Sequence, residues 1–217
     1  MGSKFKIILI LLLQTLFYSA QISNKVKKVV EPIDHQYFKI ILTENYDEEG
    51  YSSLYKMFSK VSAIATNDEL FYLALNGSTF VRINSVSVLV ARKDHRIIKL
   101  YRYYSEFPLE YETKIGHVIS KQDMALSNIR AQIFSQLINY NDYQNTKKLI
   151  KNQSLSDFYS KDEIVYYENL DITPFENLIV EFDKIDKLFI PQRIESYEEI
   201  QKNWIDKKLQ IPTISRI

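Results

Sequence analysis

Residues able to do chemistry are few in this chain and do not assemble into a known reactive set. His35, His95 and His117 are far apart and lack the short spacings that close imidazoles around zinc, and no cysteine is present to complete a site. Asn45, Asp47, Glu49 and Gly50 imitate the first, third, fifth and sixth positions of a calcium loop. The twelfth position, which must be a bidentate glutamate, is Lys56, so these residues read as an acidic loop ahead of a helix. Four glycines in total leave little room for a phosphate-cradling loop or a strained, glycine-flanked serine. The paired acids Asp162/Glu163 and Glu198/Glu199 are of the type that does acid–base work in glycosidases. Both pairs fall in first helical turns, where the positive end of the helix dipole accounts for them. No cofactor and no metal are expected from these residues.

What is left for function is recognition. Tyr103 projects near Arg96 and Lys99 in sequence, and Tyr111 follows in a connector. Exposed Tyr and Arg dominate binding hot spots, so Tyr103, Tyr111 and Arg96 are the candidate contacts for a protein partner. Nucleic acid is not expected: the formal net charge is only +1, and phosphate binding needs a concentrated basic face. Lys25 to Lys28 is the one short basic cluster and reads as a solvated face. Sixteen tyrosines, with many Ile, Asn and Lys and four Gly, suit either a recognition surface or the mutational bias of an AT-rich genome, and the second reading is preferred because half-buried Tyr also packs well with its hydroxyl at the surface.

The N-terminus carries compartment information. Lys4 and Lys6 precede the apolar stretch Ile7 to Leu13, and Ser19 and Ala20 close it with small residues. That order is the pattern of a secretory signal peptide, with cleavage expected after Ala20. The apolar run is far shorter than the roughly 20 residues that span a bilayer. An exported chain without disulfides must be held by its core alone, which fits the periplasm or secreted space of a Gram-negative bacterium better than a disulfide-dense extracellular module. The expected division is residues 1–20 as signal, 21–50 as an N-terminal segment undecided between helix and strand, and 51–217 as a helical domain.

Helix-start signals position the rest. A Ser or Thr followed three residues later by an acid occurs at Thr66/Glu69, Ser120/Asp123, Ser160/Glu163, Thr173/Glu176 and Ser196/Glu199. Each pair can satisfy two orphan amides reciprocally, worth about 1 kcal/mol per cap. Apolar stripes at helical spacing follow: Tyr51, Leu54, Tyr55, Phe58 and Val61; Leu126, Ile129, Ile133 and Leu137; Phe175, Leu178, Ile179, Phe182, Ile185 and Phe189, bounded by Pro174 and Pro191; and a shorter one, Tyr197, Ile200 and Trp204. Between Phe107 and Ile119, Pro108 and Gly116 interrupt, predicting a connector without assured regular structure.

Residues 66–105 read as three helical pieces: Asp68 to Leu75, Phe80 to Arg92, and a third capped by Asp94 with Ile97, Leu100, Tyr101 and Tyr104 on one face. The second is apolar nearly all round and belongs between two layers. Its β-branched run Val81 to Val90 also admits a strand pair turned at Asn84 and Ser85, but helix is preferred. Leu70 and Leu73, the polar turn Asn76 to Thr79, and Val81 with Arg82 opening the second helix resemble a HEAT-like helical repeat. Ser85 stands where that family usually has Ala. The resemblance implies a short, irregular α-solenoid, a mainly α scaffold binding partners on an extended face, with Arg82 as a contact between helices. The expected function is thus a protein-interaction scaffold of the cell envelope. Alternatives are a hydrolase whose carboxylates come from distant parts of the chain, and an immunity-type structural partner.

Overall fold

A computed structural model describes residues 22–34, 40–42, 51–115, 118–150 and 153–188. The expected signal segment, the acidic loop at Asn45 to Gly50, and the Ser196/Glu199 cap with its stripe lie outside the described residues.

The chain is mainly helical. In order it forms α1 (Asn24–Asp34), β1 (Ile40–Leu42), α2 (Tyr51–Ile64), α3 (Asn67–Asn76), α4 (Thr79–Ala91), α5 (Ile97–Glu106), β2 (Glu110–Ile115), β3 (Val118–Met124), α6 (Ala125–Leu149), a single 3-10 turn (Leu155–Asp157), α7 (Lys161–Glu168) and α8 (Thr173–Asp186). The Val81 to Val90 stretch is helical throughout α4. Burial decides this against β-propensity: α4 touches α1, α2, α3, α5, α6 and β1, and Phe80, Val81, Ile83, Val86, Leu89 and Val90 are buried around its circumference. A helix satisfies its own backbone while offering apolar surface on every side; an isolated strand pair would leave edges unpaired inside the core.

Local signals set the ends of several helices. Thr66 Oγ1 accepts from the Glu69 amide while the Glu69 carboxylate accepts from the Thr66 amide at 2.8 Å, and Ser160 with Glu163 repeats the arrangement at the start of α7. The α3–α4 turn is tight for a different reason. A Cβ on Gly77 would lie 2.6 Å from Val81 Cγ1 and 2.8 Å from the Leu73 carbonyl oxygen, so only glycine lets the two helices close up there. After α4, Lys93 takes a positive φ of 54°, its amide bonds the Val90 carbonyl, and the Asp94 amide reaches back to the Leu89 carbonyl. This paired closure satisfies the last carbonyls of the buried helix.

Two expected caps are corrected. Ser120 and Asp123 belong to β3, and α6 begins only at Ala125. Thr173 is the first residue of α8 rather than its cap; the Asp171 carboxylate accepts from the Thr173 amide at 3.0 Å instead. The expected connector is also more regular than its breakers suggested. β2 and β3 pair antiparallel with an irregularity at Glu112/Thr113, and β1 adds in parallel to β2, giving the order β1-β2-β3. The parallel pair needs a long crossover, which α2 to α5 supply. From the expected N-terminal segment, Ile22, Val26, Val30 and Ile33 join the core.

The buried hydroxyls of Ser85 and Thr79 have no hydrogen-bond partner. A buried donor left unmade loses its water without return, so Ser85→Ala is expected to be neutral or to stabilise by about 1 kcal/mol. A urea unfolding midpoint that drops for this variant would contradict the assignment.

Candidate partner-binding face

Of the recognition residues expected from sequence, Tyr111 is buried, and Tyr103 and Arg96 are partly exposed. Tyr111 is only 1% exposed. Tyr103 is half-buried, edge-on to Tyr104 at 5.4 Å and tilted against Phe107 at 5.5 Å. Arg96 is engaged by carboxylates: its Nε donates to Asp94 Oδ1 at 2.9 Å, its Nη2 to Asp94 Oδ2 at 2.8 Å, and its Nη1 to Asp68. The three are not gathered on one exposed patch.

That polar cluster ties α3 to the α4–α5 turn. Asn67 Nδ2 donates to Asp94 Oδ2 at 2.7 Å, and Arg92 reaches Asn67 Oδ1 at 2.7 Å, the Ala65 carbonyl at 3.0 Å and the Ser62 carbonyl. The Arg96 hydrogen bonds hold the Asp94 carboxyl down at about 2 against the opposing effect of burial. A depressed folded-state value stabilises above the ordinary carboxylate value and loses that contribution as pH falls through the folded value. Asp94 should therefore contribute on the order of 1–2 kcal/mol at neutral pH, after allowance for solvent screening, all of it lost between about pH 4 and pH 2. Asp94→Asn should flatten the acid limb of a stability–pH curve in that window; an unchanged limb would refute this.

Arg82 takes a different position. It is buried at 2% exposure, and its Nε donates to the Ala74 carbonyl and to the Tyr104 hydroxyl, both at 3.2 Å. Its guanidinium lies 5.3 Å from the Tyr104 ring centroid and 5.7 Å from that of Tyr103, and the Tyr104 hydroxyl bonds the Ala74 carbonyl at 2.5 Å. One side chain of α4 thus joins the last turn of α3 to the last turn of α5.

The outward apolar surface lies elsewhere. The exposed large apolar side chains among the described residues are Phe134, Ile138, Leu149, Phe158, Val165, Tyr166, Val180 and Leu188, all from α6 onward. On α6 they form a line. Ala125, Ile129, Ile133 and Tyr143 bury one face of this 25-residue helix. The spacing of Phe134, Ile138 and Leu149 places them on the opposite face, over about 22 Å of axis. Their exposures, 39%, 54% and 77%, rise along the helix. The ridge was absent from the sequence reading because that reading assigned α6 only its inward stripe. The missed signal was a second apolar set half a turn away.

The framework behind the ridge is well fixed. Tyr101 stacks on Phe182 with ring centroids 3.8 Å apart and its hydroxyl donates to Asp186 at 2.9 Å. Burial, reinforced by that carboxylate, pushes the Tyr101 phenol up to about 12. Arg130 donates to Asp186 at 2.9 Å and to Asp183, and its guanidinium lies 5.5 Å from the Phe134 ring, so the first residue of the ridge is held in place from α8. Further along, Tyr143 stacks on Tyr167 at 5.0 Å and donates to Glu168 at 2.6 Å, where Lys147 also donates. Tyr166 reaches Gln136 at 2.8 Å. These tyrosines fasten α7 to α6 and leave the ridge facing out.

Of the paired acids noted in the sequence, Glu163 caps the start of α7, and Glu198/Glu199 lie outside the described residues. Glu163 is held below its ordinary value by hydrogen bonds from Ser160, as a capping residue should be. Among the described residues no cluster of three metal-ligating side chains occurs, and no helix is long and apolar enough to cross a membrane. Fold and surface together define a mainly helical domain with a small mixed sheet and an apolar outward helix face. No family model matches the chain, and no match is found among curated proteins or solved structures.

Proposed function

We propose that this protein is a helical scaffold of the cell envelope that binds another protein along the outward face of α6. The observation that carries the reading is the line Phe134, Ile138 and Leu149 opposite a face already committed to the core. Phe134 and Ile138, one turn apart, with Leu149 three turns further on the same face, suit a partner helix or groove, and Arg130 with Phe134 supplies the anchored type of contact that dominates binding energy. Export rests on the basic, apolar and small-residue order of residues 4–20. The HEAT-like, short-solenoid arrangement rests on the α3–α4 hairpin, closed at Gly77, with α5 stacked after it.

The test is site-directed. A photo-crosslinking residue placed at position 138 should capture one discrete envelope protein in the cell, and the adduct should vanish when Leu149→Asp is added. If position 138 yields no adduct, or yields the same one whatever stands at position 149, the ridge is not the binding face.

A further inference from the structure

Four positions on the outward side of α6 share their spacing with four residues later in the sequence. Ala131, Phe134, Ile138 and Asp142 succeed one another at intervals of three, four and four, and all are exposed. Tyr197, Ile200, Trp204 and Lys208, which lie outside the described residues, succeed one another at the same intervals. That spacing keeps a set in one line along a helix, and Ser196 with Glu199 has the form of a capping box at the head of the second set. Both lines end on a charge, and the signs are opposite. The Arg130 and Lys147 cations of α6 are engaged by Asp183 and Asp186 and by Glu168. The Asp142 side chain has no hydrogen-bond or ion-pair partner among the described residues.

The path of the chain supplies a direction. Asp183 and Asp186 bond Arg130, so α8 finishes beside the residue one turn before Phe134. Seven residues, 189–195, then separate Leu188 from Ser196, a length that joins packed neighbouring helices. A segment entering from there starts at the Ala131 end of the line and runs the same way as α6. In that direction the two lines match position by position: Tyr197 meets the small Ala131, Ile200 meets Phe134, Trp204 meets Ile138, and Lys208 meets Asp142. In the opposite direction Lys208 would fall on Ala131 and Tyr197 on Asp142, leaving both charges unpaired.

We infer that residues 196–209 dock as a helix along the outward face of α6, parallel to it, with Ile200 and Trp204 on Phe134 and Ile138 and Lys208 on Asp142. The chain's own segment is favoured over that of a second copy, because so short a connection holds it at about millimolar effective concentration. The segment is then a cover that a partner must displace from the ridge. This regulatory consequence rests on the partner reading of α6, whereas the docking itself does not.

The experiment is disulfide trapping in the purified full chain, which has no cysteine of its own to interfere. Phe134→Cys with Ile200→Cys should bridge within one chain under mild oxidation, seen as a reductant-sensitive shift in electrophoresis. Ser135→Cys with Ile200→Cys should bridge at least about tenfold more slowly, because the next position points about 100° away around α6 and thiols on diverging Cβ vectors cannot join. With the first pair in place, Asp142→Lys should slow bridging about fivefold, and adding Lys208→Asp should restore the rate. That rescue is not expected if Asp142 matters only to the folding of α6. Three results overturn the inference: bridging no faster from position 134 than from 135, a charge reversal without effect or without rescue, or a disulfide found only between two chains. The last would give the segment to the ridge of a second copy. All three are read without a partner present. A bridge with no adduct at position 138 in the cell ends the partner reading alone, and an adduct with no bridge ends this inference alone.

Discussion

Arg82→Ala is expected to destabilise the protein by about 3–5 kcal/mol, the range for deleting a large, fully buried side chain that also anchors polar neighbours. The guanidinium fills space between α3, α4 and α5, bonds the Ala74 carbonyl and the Tyr104 hydroxyl, and lies against two tyrosine rings. Truncation leaves a cavity and removes a donor shared by two helices that are not neighbours in the chain. Arg82→Lys should recover only part of the loss, because an ammonium lacks the planar fork that donates in two directions while stacking on aromatic faces. Urea denaturation followed by tyrosine and tryptophan fluorescence measures both. A loss under about 1 kcal/mol for Arg82→Ala would mean that α3 and α5 are held by apolar packing alone.

Ile138→Asp makes the opposite kind of prediction. The side chain is 54% exposed on the outer face of α6, so stability should stay within about 0.5 kcal/mol of the wild type. Affinity for the captured partner should fall about 30-fold or more, the effect of losing a contact worth about 2 kcal/mol at an interface centre. The contrast separates the two faces of one helix. Ile129→Asp, on the buried face, should instead abolish folding, since an unpaired carboxylate there cannot be solvated. If Ile138→Asp binds the partner as the wild type does, the ridge carries no binding energy.

Much of the fold was legible where short-range chemistry decides it. Thr66 with Glu69 and Ser160 with Glu163 make capping boxes because the hydroxyl, the amide and the acid all lie within one turn. The all-round apolar character of α4 foretold a helix surrounded by others. Where partners are distant the reading slipped. Ser120 and Asp123 have the same spacing as a cap, yet pairing with β2 draws them into a strand, an outcome governed by a neighbouring chain segment rather than by their own turn. The β2–β3 hairpin was legible in principle, with alternation in Tyr111, Thr113 and Ile115 and only Gly116 and His117 between the strands, but the breakers drew the reading toward irregular chain.

By itself the sequence determined the helical character of the chain, the starts of α3 and α7, the interior place of α4 and a core built without disulfides. Each of these depends on contacts within a turn or two, or on the solvation preference of a residue type. Only the tertiary structure decided which tyrosines are packed inside and which apolar residues face out. It put Tyr111 in the core, bound Arg96 to Asp94 and Asp68, and left Phe134, Ile138 and Leu149 outward on α6. The physical reason is that a helix with apolar residues on two faces can bury either one, and the choice belongs to the surface that packs against it.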